Sequence, residues 1–255
     1  MGALHDGHMT LVAAARRRCR RVAVSIFVNP TQFGPREDYR RYPRTLAQDV
    51  RRCRAAGVDL LFVPSVREIY PSGDTMTIDV GPIGASLEGA ARPGHFNGVA
   101  TVVLKLLGLV RPNELFLGQK DYQQTLVIKQ LVRAFHLPVA VTVCPTAREA
   151  DGLAMSSRNR YLSPAERRAA PLLYRALQAG LARWRRGERS PAMLRAAMRR
   201  VLRANRLIRV DYVTVSDSAT LASLTRAADR GLLAIAARIG STRLIDNVLL
   251  RRTSR

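Results

Sequence analysis

Residues 2–32 read GALHDGHMTLVAAARRRCRRVAVSIFVNPTQ and contain the first helix-and-strand pattern of the chain, from which the fold class can be predicted. It predicts a helix over about residues 8–20 that leads directly into an apolar, buried strand over residues 22–28. The same alternation continues, with helices at about 46–56, 99–110 and 127–135 and strands at about 58–63, 115–117 and 139–143. Alternation of this kind indicates an α/β fold in which helices cover both faces of a parallel sheet.

The pattern changes after Pro145. A polar stretch over residues 146–159 is followed by arginine-rich helices over about 165–186 and 191–204, and by short strands at 209–215 and 232–237. We therefore expect two domains, a parallel-sheet domain over residues 1–146 and a smaller C-terminal α+β domain over residues 147–255.

Composition excludes several classes of protein. An apolar fraction of 47% over 255 residues is enough for a large core and excludes wholesale disorder. The apolar runs are too short for a membrane-spanning helix. Three widely separated cysteines with no CxxC pair exclude a disulfide framework and an obvious zinc site, and they predict a cytoplasmic protein.

The formal net charge of +23 raises the alternative of a basic nucleic-acid-binding protein. The excess is almost entirely arginine and is spread along the chain. Aromatic side chains, which could stack on bases, make up only 5% of the residues. We therefore expect no specific nucleic-acid partner, although charge alone leaves this class open.

Two stretches are suited to holding phosphate. His5-Asp6-Gly7-His8 stands at the start of the first helix, where free peptide N–H groups and a partial positive charge favour anions and disfavour imidazolium in the empty site. Gly118-Gln119-Lys120-Asp121 falls where a strand ends and a helix begins, another ligand position of α/β sheets. Simpler interpretations stay open, because HxxH pairs arise by chance and at metal sites and Asp121 could cap the helix.

Polar side chains elsewhere complete a candidate site. Met155-Ser156-Ser157-Arg158 offers two hydroxyls and a guanidinium to an anion, although a Ser-Ser pair is also common in turns. Asn29 and Gln32 follow the strand predicted over residues 22–28, and Gln124 lies one turn after Lys120. Uncharged amides recognise hydroxyls and carboxylates, so the whole set predicts phosphate handling combined with a small organic acid.

Six motifs follow one another along nearly the whole chain. They are MGALHDGH at 1–8, VSIFVNPTQF at 24–33, YPRT at 42–45, LEG at 87–89, GQKDYQQ at 118–124 and DGLAMSSRN at 151–159. Together they resemble the pantoate–β-alanine ligase (pantothenate synthetase) family of HIGH-motif nucleotidyltransferases. The resemblance implies a ligase of pantothenate biosynthesis that joins (R)-pantoate and β-alanine through pantoyl adenylate, using ATP and releasing AMP and pyrophosphate. It also implies a Rossmann-like ATP- and pantoate-binding domain over residues 1–146, a C-terminal lid domain over residues 147–255, and a cytoplasmic homodimer.

The resemblance also assigns roles to residues. It implies an ATP-binding set of Met1, Gly2, Ala3, Leu4, His5, Asp6, Gly7, His8, Gly118, Gln119, Lys120, Asp121, Ala147, Met155, Ser156, Ser157 and Arg158. His8, His5 and Lys120 would be catalytic, with His8 as the proton donor. Gln32, Gln124 and Asn29 would bind pantoate, and Gln32 would also lie at the β-alanine site. Mg²⁺ would be carried mainly by the phosphates, without a protein metal ligand.

Two departures from the family pattern bear on these expectations. Gln119 stands where the family commonly has glutamate, a change that we expect to be tolerated. Family members also carry a segment before the position of Met1, including a sheet strand that ends in Pro-Thr. We therefore expect the reading frame to continue upstream and this shorter form to be poorly soluble or inactive. The nearer alternative function is another HIGH-type adenylyltransferase or synthetase, which would share the ATP residues but act on a different acid.

Overall fold

A computed structural model describes residues 2–35 and 37–251 of the chain. Met1, which the resemblance places in the ATP-binding set, lies outside the described residues. The chain folds as two compact units, with the boundary between Pro145 and Thr146. None of the helices in the described ranges is long and apolar enough to cross a membrane.

The first unit alternates helices with parallel strands. Its elements are α1 (Asp6–Arg18), β1 (Ala23–Ser25), α2 (Leu46–Ala55), β2 (Leu60–Phe62), α3 (Val66–Ile69), α4 (Glu88–Ala91), α5 (His95–Val110), β3 (Glu114–Gly118), α6 (Tyr122–Ala134) and β4 (Ala140–Cys144). β1 pairs in parallel with β2, and β3 pairs in parallel with β4. The α/β class with parallel strands, predicted from the alternating pattern, is therefore confirmed.

Two of the strands, β1 and β2, are shorter than predicted, and within the described residues the four strands form two pairs instead of one continuous ladder. The apolar run over residues 22–28 contributes only Ala23–Ser25 to β1. An apolar run reports burial, whereas a strand also needs a hydrogen-bonded neighbour. Past β1, the Ile26 N–H still donates to the Phe62 carbonyl at 2.8 Å, and the chain then turns into a 3₁₀ helix, Pro30–Gln32.

Helices cover both faces of the parallel strands. Phe116 of β3 packs on one side into a core with Leu4 and Val12 at the start of the chain and on α1. Its neighbours in β3, Leu115 and Leu117, pack on the other side against a core formed by α5 and α6. Successive side chains of a strand point to opposite faces, so this division shows that β3 lies between two helical layers, as the sequence predicts.

The second unit packs helices on an antiparallel sheet. Its elements are α7 (Pro164–Ala169), α8 (Leu172–Arg185), α9 (Pro191–Arg203), β5 (Ile208–Asp217), β6 (Gly231–Ile239) and β7 (Thr242–Leu250), with the strands in the order β5-β6-β7. Trp184 of α8, Met198 of α9 and Ile235 of β6 are fully buried in the shared core.

Two features of the second unit differ from the sequence prediction. The helix predicted over residues 165–186 is divided into α7 and α8 around Pro171, which lacks the N–H that a continuous helix needs. β7 was not predicted, because the polar pair Asp246 and Asn247 interrupts its apolar pattern although both side chains are buried. A two-residue turn joins β6 to β7, and Gly240 supplies the positive φ of +57° that such a turn requires.

Candidate active site

The two histidines of the first motif lie at the N-terminus of α1. His5 is the N-cap residue, and its N–H donates to Nδ1 of His8 at 3.2 Å. The two rings are in contact, with centroids 4.0 Å apart. Because Nδ1 of His8 accepts a hydrogen bond, a neutral His8 carries its proton on Nε2. His8 is therefore a hydrogen-bond donor through Nε2.

His8 is neutral at physiological pH. Burial, reinforced by electrostatic interactions with His5 and Lys120, lowers its pKa to about 3. The direction is the one predicted from the helix terminus, but the largest cause is burial. Asp121 acts in the opposite sense and raises the pKa of His8. The charges of Lys120 and Asp121 are therefore close enough to act on His8, and the first unit brings both phosphate motifs together.

A buried carboxylate that sequence reasoning missed holds the loop before α1. Asp49 of α2 accepts the N–H of Ala3 at 2.9 Å on Oδ2 and the N–H of Leu4 at 2.7 Å on Oδ1. Ala3 adopts a positive φ of 50° and, like Leu4, is 0% exposed. The signal in the sequence is an acidic residue four positions before Cys53, on the apolar stripe of a helix, where a solvated carboxylate would not be expected.

The second phosphate motif lies at the carboxyl end of β3. The strand ends at Gly118, a 3₁₀ turn spans Gln119–Asp121, and α6 begins at Tyr122. Asp121 is the N-cap residue of α6, yet its side chain makes no capping hydrogen bond. Oδ1 of Asp121 instead lies 3.5 Å from Nζ of Lys120. The capping interpretation of Asp121 is therefore wrong, and its carboxylate accompanies Lys120 at the strand end.

The amide pair Asn29 and Gln32 lies beyond β1, around the 3₁₀ helix Pro30–Gln32. Asn29 is 3% exposed, and its Nδ2 donates to Oε1 of Gln32 at 3.2 Å and to the carbonyl of Gly98 at 3.1 Å. Its Oδ1 accepts the hydroxyl of Tyr70 at 2.8 Å. Asn29 thus lies behind Gln32 and holds its side chain, while Tyr70 is a contributor that the sequence did not reveal.

His95 and Arg92 hold the main chain of Gln32. Nδ1 of His95 donates to the Gln32 carbonyl at 2.8 Å, and Nε2 of His95 meets Nη1 of Arg92 at 2.9 Å. Arg92 also forms a bidentate ion pair with Glu37, at 2.7 and 2.6 Å. Burial and the neighbouring guanidinium of Arg92 lower the pKa of His95 to about 4, which agrees with a neutral ring. His95 therefore positions this loop.

Gln124 lies in the first turn of α6 and is half-buried. Its neighbour Gln123 is fully buried and donates to the carbonyls of Ile83 and Ser86 at 2.7 and 2.9 Å. Adjacent residues of a helix point in different directions, so Gln124 does not share this buried position.

In the second unit, the residues 147–158 form a compact loop. The N–H of Met155 donates to the carbonyl of Ala147 at 3.0 Å, and Arg148 and Ala154 form an antiparallel bridge. Ser156 caps a 3₁₀ helix, Ser157–Tyr161, by accepting the N–H of Arg158 at 3.3 Å. The turn interpretation of the serine pair therefore holds for Ser156, and the same hydrogen bond holds the main chain at Arg158.

This loop is anchored to the sheet of its own unit. The guanidinium of Arg148 makes a bidentate ion pair with Asp246 of β7, at 2.6 and 3.0 Å. It also lies 3.8 Å from the centroid of the Tyr174 ring. Sequence reasoning missed this pair, and no local pattern could have revealed it, because the partners are 98 positions apart.

Comparison with known proteins assigns the chain to a family. A sequence model described as Pantoate-beta-alanine ligase matches residues 1–249. The chain is 56% identical over 250 residues to the pantothenate synthetase of Roseiflexus castenholzii, covering 98% of this chain and 90% of that protein. It is 55% identical to the pantothenate synthetase of Chloroflexus aurantiacus, covering 98% of this chain and 89% of that protein.

Solved structures agree. The crystal structure of pantothenate synthetase from Thermus thermophilus superposes with a TM-score of 0.96 and 48% identity, covering 99% of this chain and 91% of that one. The pantoate-beta-alanine ligase of Francisella tularensis, complexed with Beta-gamma ATP and Beta-alanine, gives a TM-score of 0.80 and 39% identity over 99% of this chain and 88% of that one. The resemblance predicted from six sequence motifs is thus confirmed: this chain belongs to the pantoate–β-alanine ligase family.

Proposed function

We propose that the chain joins (R)-pantoate and β-alanine in an ATP-dependent reaction that passes through pantoyl adenylate and releases AMP and pyrophosphate. The observation that carries this proposal is the family match over residues 1–249. The site chemistry supports the same proposal, because a neutral His8 in the first turn of α1, within the electrostatic influence of Lys120, suits the phosphates of ATP.

In the first step, a carboxylate oxygen of pantoate attacks the α-phosphorus of ATP, and the bond to pyrophosphate breaks. Negative charge moves onto the departing pyrophosphate as this happens. The Nε2–H of His8 donates to a phosphoryl oxygen, with His5 beside it, and the ammonium of Lys120 stabilises the charge. His8 is neutral while the site is empty. The negative charge of a bound phosphate then favours the protonated imidazole, so His8 gains positive charge only when ATP is in place.

The remaining ATP contacts are proposed for each unit separately. In the first unit they are the loop and helix start (Met1, Gly2, Ala3, Leu4, Asp6 and Gly7) and the strand end (Gly118, Gln119 and Asp121). The partial positive charge at the start of α1 and the two hydrogen bonds that the loop donates to Asp49 support the first group. In the second unit they are Ala147, Met155, Ser156, Ser157 and Arg158, and the capped 3₁₀ turn that contains Ser157 and Arg158 supports this group. We assign the first unit to ATP and pantoate binding and the second to a lid.

In the second step, the amine of β-alanine attacks the acyl carbon of pantoyl adenylate. The C–N bond forms, the C–O bond to AMP breaks, and the amine loses a proton. Gln32 and Gln124 bind the organic acid through their amides, with Gln32 also at the β-alanine position, and Asn29 holds Gln32.

Magnesium, assembly and location complete the proposal. Residues 2–35 and 37–251 contain no cluster of three acidic, histidine or cysteine side chains suited to a metal. We propose that the phosphates of ATP would hold Mg²⁺, which would neutralise part of their charge and keep several of its waters. The resemblance to the family supports a homodimer in the cytoplasm.

Pyrophosphate release tests the proposal against its nearest alternative, an adenylating enzyme for another acid. We expect release from ATP to depend on pantoate and not on other small hydroxy acids. His8→Ala and Lys120→Ala should lower kcat by about 10²–10³, because their contacts strengthen in the transition state. Gln32→Ala and Gln124→Ala should chiefly raise the KM for pantoate. The same kinetic change in both pairs would contradict this division of roles.

A further inference from the structure

The side-chain amide of Gln32 is held in one orientation by hydrogen bonds behind it. The N–H of Thr31, which can only donate, lies 3.3 Å from Oδ1 of Asn29. The carbonyl of Gly98, which can only accept, receives Nδ2 of Asn29 at 3.1 Å. These two bonds fix which way the Asn29 amide faces, so Oε1 of Gln32 is the atom that meets Nδ2 at 3.2 Å. Nε2 of Gln32, the other terminal atom of the amide, therefore points away from Asn29.

Tyr70 supports this arrangement from the far side of Asn29. Its hydroxyl donates to Oδ1 of Asn29 at 2.8 Å and lies 3.0 Å from the hydroxyl of Thr31. Burial raises the pKa of Tyr70, so the hydroxyl keeps its proton at neutral pH. A donor on Oδ1 polarises the Asn29 amide and strengthens Nδ2 as a donor to Gln32.

Close packing around Tyr70 and Gly98 restricts the positions of Tyr70 and of the 3₁₀ helix Pro30–Gln32. The ring of Tyr70 packs beside Phe27, with centroids 6.4 Å apart, and Nζ of Lys105 lies 5.2 Å from the ring centroid. A Cβ on Gly98 would lie 2.3 Å from the carbonyl oxygen of Thr31, so α5 approaches the 3₁₀ helix as closely as a glycine allows. The main chain of Gln32 is held separately, by Nδ1 of His95.

We propose that Tyr70 is a positioning residue that acts through Asn29 to set the amide of Gln32, so that Gln32 presents its NH₂ group to the carboxylate of the acid substrate. The inference rests on the proposed role of Gln32 in acid binding. An amide turned the other way would place its oxygen against the carboxylate and repel it. Tyr70 therefore contributes to affinity for an anionic acid and leaves the chemistry at phosphorus unchanged.

The kinetic test uses Tyr70→Phe, which removes one hydroxyl and keeps the ring. We expect the KM for pantoate to rise about three- to tenfold, the effect of losing one buried hydrogen bond, with kcat nearly unchanged. In a Gln32→Ala background, the same substitution should have no further effect on KM, because the group it acts on is gone. Tyr212→Phe in β5 is the matched control and should leave KM unchanged. Equal effects of Tyr70→Phe in both backgrounds, or a fall in kcat with KM unchanged, would overturn the proposal.

A second measurement does not depend on activity. The side-chain NH₂ signals of Gln32 in ¹⁵N NMR spectra are assigned by their loss in Gln32→Ala. We expect them to shift or broaden in Tyr70→Phe and to be unchanged in Tyr212→Phe. Unchanged Gln32 signals in Tyr70→Phe would overturn the role of Tyr70 whatever the kinetics show. If the unmodified chain released no pyrophosphate with pantoate, the proposed function would fail while this measurement still decided the role of Tyr70.

Discussion

Replacing Asp49 with asparagine should loosen the loop that precedes α1. The carboxylate accepts two peptide N–H groups, from Ala3 at 2.9 Å and Leu4 at 2.7 Å, and the hydroxyl of Thr45 at 3.2 Å. Asparagine keeps one acceptor oxygen and places an NH₂ group against one of the two N–H donors. One fully buried peptide N–H thus loses its acceptor, which costs about 1–3 kcal/mol.

Amide hydrogen exchange measures this cost where it arises. If the loop opens locally, a cost of about 1–3 kcal/mol corresponds to a roughly 5- to 150-fold loss of protection at Ala3 and Leu4. We also expect a higher KM for ATP, because the loop leads directly into the His5–His8 motif. Asp59→Asn is a matched control: Asp59 also accepts a peptide N–H, from Val22 at 2.7 Å, but its side chain is 41% exposed. Unchanged protection at Leu4 in Asp49→Asn would refute the claim that Asp49 holds the loop, and normal ATP kinetics despite lost protection would refute its link to ATP binding.

Three further outcomes are expected. The pKa of His8 is about 3 in the folded chain and 6.5 ordinarily, so the folded state loses stability as the pH falls from 6.5 towards 3. The urea midpoint of His8→Ala should therefore fall less steeply with decreasing pH than that of the unmodified chain. Equal slopes of urea midpoint against pH would contradict a neutral, buried His8. Asp246→Asn leaves Arg148, whose side chain is only 17% exposed, without its carboxylate partner. This should lower the free energy of unfolding by about 3–5 kcal/mol, measured from the fluorescence of the single tryptophan, Trp184. A loss below about 1 kcal/mol would show that the pair does not anchor the loop. Binding of polynucleotides, measured by fluorescence anisotropy, should be weak, independent of nucleotide sequence and abolished by moderate salt. Tight binding that survives such salt would favour the alternative of a nucleic-acid-binding protein.

Local patterns in the sequence were enough to place most elements of the fold. The apolar runs and stripes located the four parallel strands and the four longer helices of the first unit, because period and burial are properties of neighbouring residues, but they did not reveal the short helices α3 and α4. The boundaries were less well determined: β1 is shorter than its apolar run, and α7 and α8 separate at Pro171. The same local information carried the phosphate motifs, since a helix start or a strand end is encoded by adjacent residues.

Neighbouring residues along the chain are therefore sufficient to predict the α/β class, the family and the positions of the His5–His8 and Gly118–Asp121 motifs. The groups that hold these motifs in place could be identified only in the folded chain. Asp49 reaches Ala3 from 46 positions away, Tyr70 reaches Asn29 from 41, and Asp246 reaches Arg148 from 98. Folding also decided that His8 is neutral, because burial, the largest cause of its lowered pKa, depends on the packing of the whole unit. Such contacts are selected by the packing of distant segments, and no spacing along the chain encodes them.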